Sequence, residues 1–125
     1  MLVKILYLCD VQNVPTDKRN KIIFGTVEME DVEQYYKCVY EYEIDKVDNV
    51  GLFLEEIFEQ FNVRAYPDGD SDNDIDLNPL CDAKYQKLIK EYKTHTSMSI
   101  GDIICLDDDY YVVQPMGFNK MEKIE

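Results

Sequence analysis

Residues 2 to 9, Leu-Val-Lys-Ile-Leu-Tyr-Leu-Cys, are apolar on both alternating faces except at Lys4, a pattern that predicts a strand buried on both sides. Asp10 to Asn20, with Pro15 in its middle, reads as a turn or loop, and a second strand is expected from Lys21 to Met29. The clearest period of two follows, with Tyr36, Cys38, Tyr40, Tyr42 and Ile44 alternating with Lys37, Val39, Glu41 and Glu43. It predicts a strand with one face on the core and the other largely in water.

The period then changes. Val50, Leu54, Ile57, Phe58 and Phe61 fall on one helical stripe, with Glu55, Glu56 and Glu59 between them, so an amphipathic helix with an acidic outer face is expected. Asn78-Pro79 supplies a cap and a first-turn proline for a second helix whose apolar stripe is Cys81, Tyr85, Leu88, Ile89 and Tyr92. Its Lys84, Lys87, Lys90 and Lys93 read as a solvated face. Residues 101 to 106 and 110 to 114 form a predicted hairpin around Asp107-Asp108-Asp109. The order of strands, helices and strands predicts one α+β domain over residues 1–125: a small mixed, mainly antiparallel sheet of about five strands packed with two amphipathic helices.

At 125 residues and 46% hydrophobic the chain suits one core, and its aromatic and branched residues separate it from acidic disordered sequences. No run approaches the ~20 apolar residues that cross a bilayer and no signal-peptide core is visible, so no membrane association and a cytoplasmic location are expected. Cys9, Cys38, Cys81 and Cys105 lie far apart, outside any C-x-x-C pair, and read as reduced core thiols.

Charge is unevenly placed. Residues 28 to 82 hold seventeen Asp or Glu against Lys37, Lys46 and Arg64, while the other seventy residues carry nine acids and ten bases. The whole formal charge of -13 therefore arises in one segment. Nucleic-acid binders draw affinity from Lys and Arg on phosphates, so direct nucleic-acid binding is disfavoured and a basic protein partner is expected.

Asp68, Asp70, Asp72, Asp74 and Asp76 alternate as calcium-loop carboxylates do, but an EF-hand needs Gly at its sixth place and Glu at its twelfth. Counting from Asp70 those places hold Ile75 and Cys81, and from Asp68 they hold Asn73 and Pro79. No metal or other cofactor is expected. His95 is the only histidine, and neither Ser97, Ser99 nor Cys81 stands in a nucleophile-elbow pattern with it. His95 reads as a polar residue after a helix, and Ser97, Ser99 and Asp102 as side chains that hydrogen-bond nearby backbone N–H groups and fix a turn.

Three stretches resemble the YodL-like domain family, small domains encoded mainly on conjugative and phage-derived elements of Gram-positive bacteria. They are the opening strand with Tyr7; Leu54 to Asn62 with Ala65-Tyr66-Pro67; and Ser97 to Ile104 followed by Tyr110 to Val113 and Gly117-Phe118. Against that family, residues 68–94 stand as an acidic insertion. The resemblance implies a mobile-element setting and no established catalytic activity.

Carboxylates at i and i+2 of an extended segment, such as Glu41 and Glu43 or Asp70 to Asp76, stand about 6.6–6.8 Å apart on one side. Duplex DNA carries one charge per ~3.4 Å along each strand, so these residues with Glu55, Glu56, Glu59, Asp107, Asp108 and Asp109 approach nucleic-acid charge density. The expected function is that of a non-enzymatic acidic protein of a mobile element, a counter-defence inhibitor (anti-CRISPR or anti-restriction) that mimics nucleic acid in a host nuclease. The alternatives are an accessory interaction domain of conjugation or replication machinery, and a weak metal-dependent hydrolase using the aspartate loop.

Overall fold

In the computed structural model, which describes residues 1–62 and 78–121, β1 (Leu2–Leu8) runs between β2 (Tyr36–Glu43) and β3 (Ile103–Leu106). β4 (Asp109–Val113) and β5 (Phe118–Lys120) complete a five-stranded sheet of order β2-β1-β3-β4-β5 in which every neighbouring pair is antiparallel. Because β1 is flanked on both sides and apolar on both faces, it carries two cores. Val3, Ile5 and Tyr7 pack with Leu54, Ile57 and Phe61 of α3 (Val50–Gln60) and with Leu80 and Ile89. Leu6 and Leu8 point the other way, onto Val14, Ile22, Val27 and Tyr36.

Strand β2 meets both cores through a bulge. Leu6 pairs with Cys38 and Ile5 with Tyr40, leaving Val39 as an extra residue in the ladder. Before the bulge Tyr36 lies in the core of Leu6 and Leu8; after it Tyr40 and Tyr42 pack with Val3 and Ile5, and Val39 is buried there too. The expected single buried face therefore changes side at Val39. Cys38 is left exposed, a correction to its reading as a core thiol, and Cys81 is only partly buried; all four cysteines are free.

The predicted strand at Lys21–Met29 is not a strand. Pro15 (φ −54°, ψ 142°) leads into α1 (Thr16–Ile23), Gly25 turns the chain at φ +87°, and α2 (Met29–Tyr35) follows. The apolar cluster Ile22-Ile23-Phe24 has β-like composition but no period of two, since only Ile22 is buried. A capping box fixes the start of α2, with the Asp31 carboxylate accepting from Glu28 N at 3.1 Å while Lys18 Nζ sits 3.2 Å away. Among the described residues the two expected helices thus become four α-helices, and the mixed sheet becomes wholly antiparallel with β5 as its fifth strand.

Asn49 caps α3 by accepting from Leu52 N at 3.1 Å. Asn78 caps a 3-10 turn, Pro79–Cys81, and Asp82 starts α4 (Ala83–Tyr92), the helix assigned to an insertion; its Ile89 sits in the main core. Lys84, Lys87, Lys90 and Lys93 are exposed as expected.

Before β3, Gly101 adopts φ +95°, and a Cβ there would stand 2.9 Å from Ile22 Cγ2 of α1. Both the left-handed backbone and the contact penalise a side chain. Gly101→Ala is expected to destabilise the fold by about 2 kcal/mol in urea denaturation, whereas Gly51→Ala, within α3 and in ordinary contact distance of Asn49, is expected to stabilise by a few tenths.

Candidate functional site

The acids singled out in the sequence divide between the two sides of the sheet. Glu55, Glu56 and Glu59 are exposed on α3, on the side of the sheet onto which Val3, Ile5 and Tyr7 point. Glu41 and Glu43 pair with Lys4 and Leu2, so they project from the opposite face. Both are exposed.

The hairpin turn is shorter than expected. Leu106 pairs with Asp109, leaving Asp107-Asp108 as a two-residue turn with Asp107 at φ 54°. Asp107 has a structural task, since its Oδ1 accepts from Leu2 N and its own N–H donates to Leu2 O, both at 2.8 Å. Asp109 Oδ1 faces Lys120 Nζ at 3.7 Å, and Asp108 is exposed. Asp68, Asp70, Asp72, Asp74 and Asp76 lie outside the described residues.

The described residues hold nineteen acids, eleven Lys or Arg and His95, and ion pairs join Lys18 to Asp31, Lys120 to Asp109 and His95 to Asp102. Glu41, Glu43, Glu55, Glu56 and Glu59 have no ion pair among the described residues. On α3, Glu55–Glu59 and Glu56–Glu59 are like-charge neighbours at i,i+4 and i,i+3, each unfavourable by about 0.2–0.5 kcal/mol.

A second constellation, which sequence reasoning missed, centres on Asp102. This carboxylate is fully buried, and it accepts from Leu8 N (2.9 Å), from Ser99 N (2.7 Å) and from His95 Nε2 (2.6 Å). The bond to Ser99 N is the turn-fixing role expected for Asp102. His95 stacks on Tyr7 with ring centroids 4.7 Å apart, and the Tyr7 hydroxyl donates to Thr96 O at 3.0 Å. Burial pushes the Asp102 carboxyl above its ordinary value, while the His95 contact and the two amides pull it back down. Burial first, and the Asp102 charge second, push the Tyr7 phenol far above the usual phenol range.

This arrangement positions backbone and does not build a nucleophile. His95 Nδ1 faces Thr94 Oγ1 at 3.3 Å, and that hydroxyl already donates to Leu8 O at 2.9 Å. Ser99 Oγ turns to Ser97 O, 3.3 Å away. Burial raises the Cys9 thiol above its ordinary value, the direction that disfavours a thiolate. Among the described residues no group of three His, Cys, Asp or Glu is placed to hold a metal ion, and no helix is long and apolar enough to cross a membrane. The one available signal for the dyad was a lone histidine seven residues before an aspartate that opens a buried strand.

No family model matches the chain, and no solved structure matches it. An uncharacterized protein of Acanthamoeba polyphaga mimivirus is 36% identical to it over 120 residues, covering 96% of this chain and 94% of that protein. At that identity and coverage, this chain belongs to the same family as the mimivirus protein.

Proposed function

We propose that this is a non-enzymatic acidic binding protein, acting in the cytoplasm on behalf of a virus or other mobile element, that occupies the nucleic-acid channel of a nuclease. The observation that carries the reading is the unpaired carboxylate face of α3. Glu55, Glu56 and Glu59 repel one another along the helix and make no ion pair among the described residues, so within those residues nothing offsets the repulsion by direct pairing. A basic surface recovers that repulsion on binding and steers association. The viral relative supports the setting, and the reading of the chain as a YodL-like domain belongs to the same proposal.

The test is to immobilise the protein, pass host lysate over it, elute with a salt step and assay the eluate for DNA cleavage with and without added free protein. A salt-released nuclease that free protein inhibits supports the reading. An eluate without nuclease activity, or cleavage undiminished by free protein, overturns it, and recovery of replication or conjugation proteins points to an accessory docking domain. The variant Glu55→Gln/Glu56→Gln/Glu59→Gln is expected to keep its stability within about 1 kcal/mol while binding the nuclease at least roughly tenfold more weakly, with a shallower salt dependence.

A further inference from the structure

An apolar groove opens beside the acidic face, at the start of α3. Ile44, Val47, Leu52 and Phe53 line it together with Asp48 and Glu56, and its volume is about 400 Å³. Leu52 is 53% exposed although it lies on the first turn of a helix whose Leu54 and Ile57 are buried. Glu55, Glu56 and Glu59 follow Leu52 at i+3, i+4 and i+7, so the exposed leucine heads the acidic stripe. Asp45 and Asp48 add two exposed carboxylates on the preceding loop.

Among the described residues Lys46 also lines the groove, and the Met1 ammonium donates to Ile44 O at 2.8 Å and Asp45 O at 3.4 Å. An exposed apolar side chain at the head of an acidic stripe is complementary to a surface that pairs an aliphatic residue with cations.

We infer that this groove docks a basic amphipathic helix of the partner protein, with an aliphatic side chain against Leu52, Val47 and Phe53 and its Lys or Arg residues toward Asp48, Glu55, Glu56 and Glu59. The inference rests on the acidic-binding reading and adds the place and the apolar anchor. Charge alone gives steering and salt-sensitive attraction. The groove supplies register, because it can be filled in one position along the stripe.

The experiment uses two synthetic helical peptides of identical charge, one carrying lysines with two leucines a turn apart, the other with serines in place of the leucines. Binding is followed by amide chemical-shift changes in the full chain. The leucine peptide is expected to bind about tenfold more tightly and to move the amides of residues 44–56, and Leu52→Ala is expected to reduce it to the level of the serine peptide while leaving shifts elsewhere unchanged. Equal binding of the two peptides, insensitive to Leu52→Ala, overturns the groove and leaves the acidic-binding reading standing. Failure of both peptides to bind overturns both.

Discussion

Replacing Asp102 with alanine is expected to lower the unfolding free energy by about 3–5 kcal/mol, one of the two largest single-residue effects in this protein. The carboxylate is fully buried and serves three donors from three places: Leu8 N at the end of β1, Ser99 N in the turn before β3, and His95 Nε2. Alanine leaves the Leu8 and Ser99 amides without their acceptor and frees the imidazole from the loop. The midpoint of thermal unfolding should fall by roughly 10–20 °C. A loss of less than 1 kcal/mol would show that water replaces the carboxylate and that the dyad does not organise this end of the sheet.

The pH dependence gives a second readout. Burial raises the folded carboxyl above its ordinary value, so between the ordinary and the raised value the folded state binds the proton more tightly than the unfolded chain. The stability contributed by this group is thus fully present below the ordinary carboxylate value and is lost as pH rises through the raised one. Urea midpoints measured across that acidic window should show this component in the parent protein and its absence in Asp102→Asn. Asparagine with its oxygen on the Leu8 amide turns its NH2 group toward both Ser99 N and His95 Nε2, which share the other carboxylate oxygen; because the Leu8 bond is kept, its destabilisation is expected to fall short of that of alanine.

Truncating Phe61 to alanine is the other large effect, expected at about 3–5 kcal/mol. Its ring is fully buried at the end of α3 and meets Tyr40 edge-on at a centroid distance of 5.7 Å. Its backbone matters as well, because Phe61 O accepts from Asn78 Nδ2 at 2.7 Å and from Met98 N at 3.2 Å. Phe61 therefore joins α3 to the turn before α4 and to the loop before β3. Urea denaturation measures the loss. A Phe61→Leu variant should recover more than half of it, because that leucine refills most of the space; no recovery would assign the effect to aromatic geometry with Tyr40 instead of volume.

What could be read from the sequence was what depends on local pattern. The doubly apolar run at residues 2–9 became the central strand β1 at Leu2–Leu8, the stripe from Val50 to Phe61 became α3, and the acids between its apolar residues are exposed as expected. The Asp102 bond to Ser99 N was legible for the same reason, since it spans three residues. What escaped was set by long-range partners. Ile22 is buried in the same cluster as Ile103 and Val112, residues roughly 80 or more positions away, while Ile23 and Phe24 stay exposed, and Ile22-Ile23 closes a helix where composition suggested strand. His95 was legible as a polar residue near a helix end, but its meeting with Asp102 needs the end of β1 to pass beside both, 94 residues before Asp102. The two-sided placement of Glu41 and Glu43 against Glu55, Glu56 and Glu59 required the bulge in β2, which alternation alone does not announce.

That bulge makes the sidedness of β2 a matter of parity. Two residues per repeat give a strand two sides, and one supernumerary residue exchanges them for everything downstream. Tyr40 and Tyr42 reach the core under α3, and Glu41 and Glu43 reach water, because an odd number was added at Val39. Residue identity in this stretch can drift within its chemical class while the outcome holds, but the count from Tyr36 to Glu43 cannot change by one. The strand is written in a reading frame, and Val39 sets it.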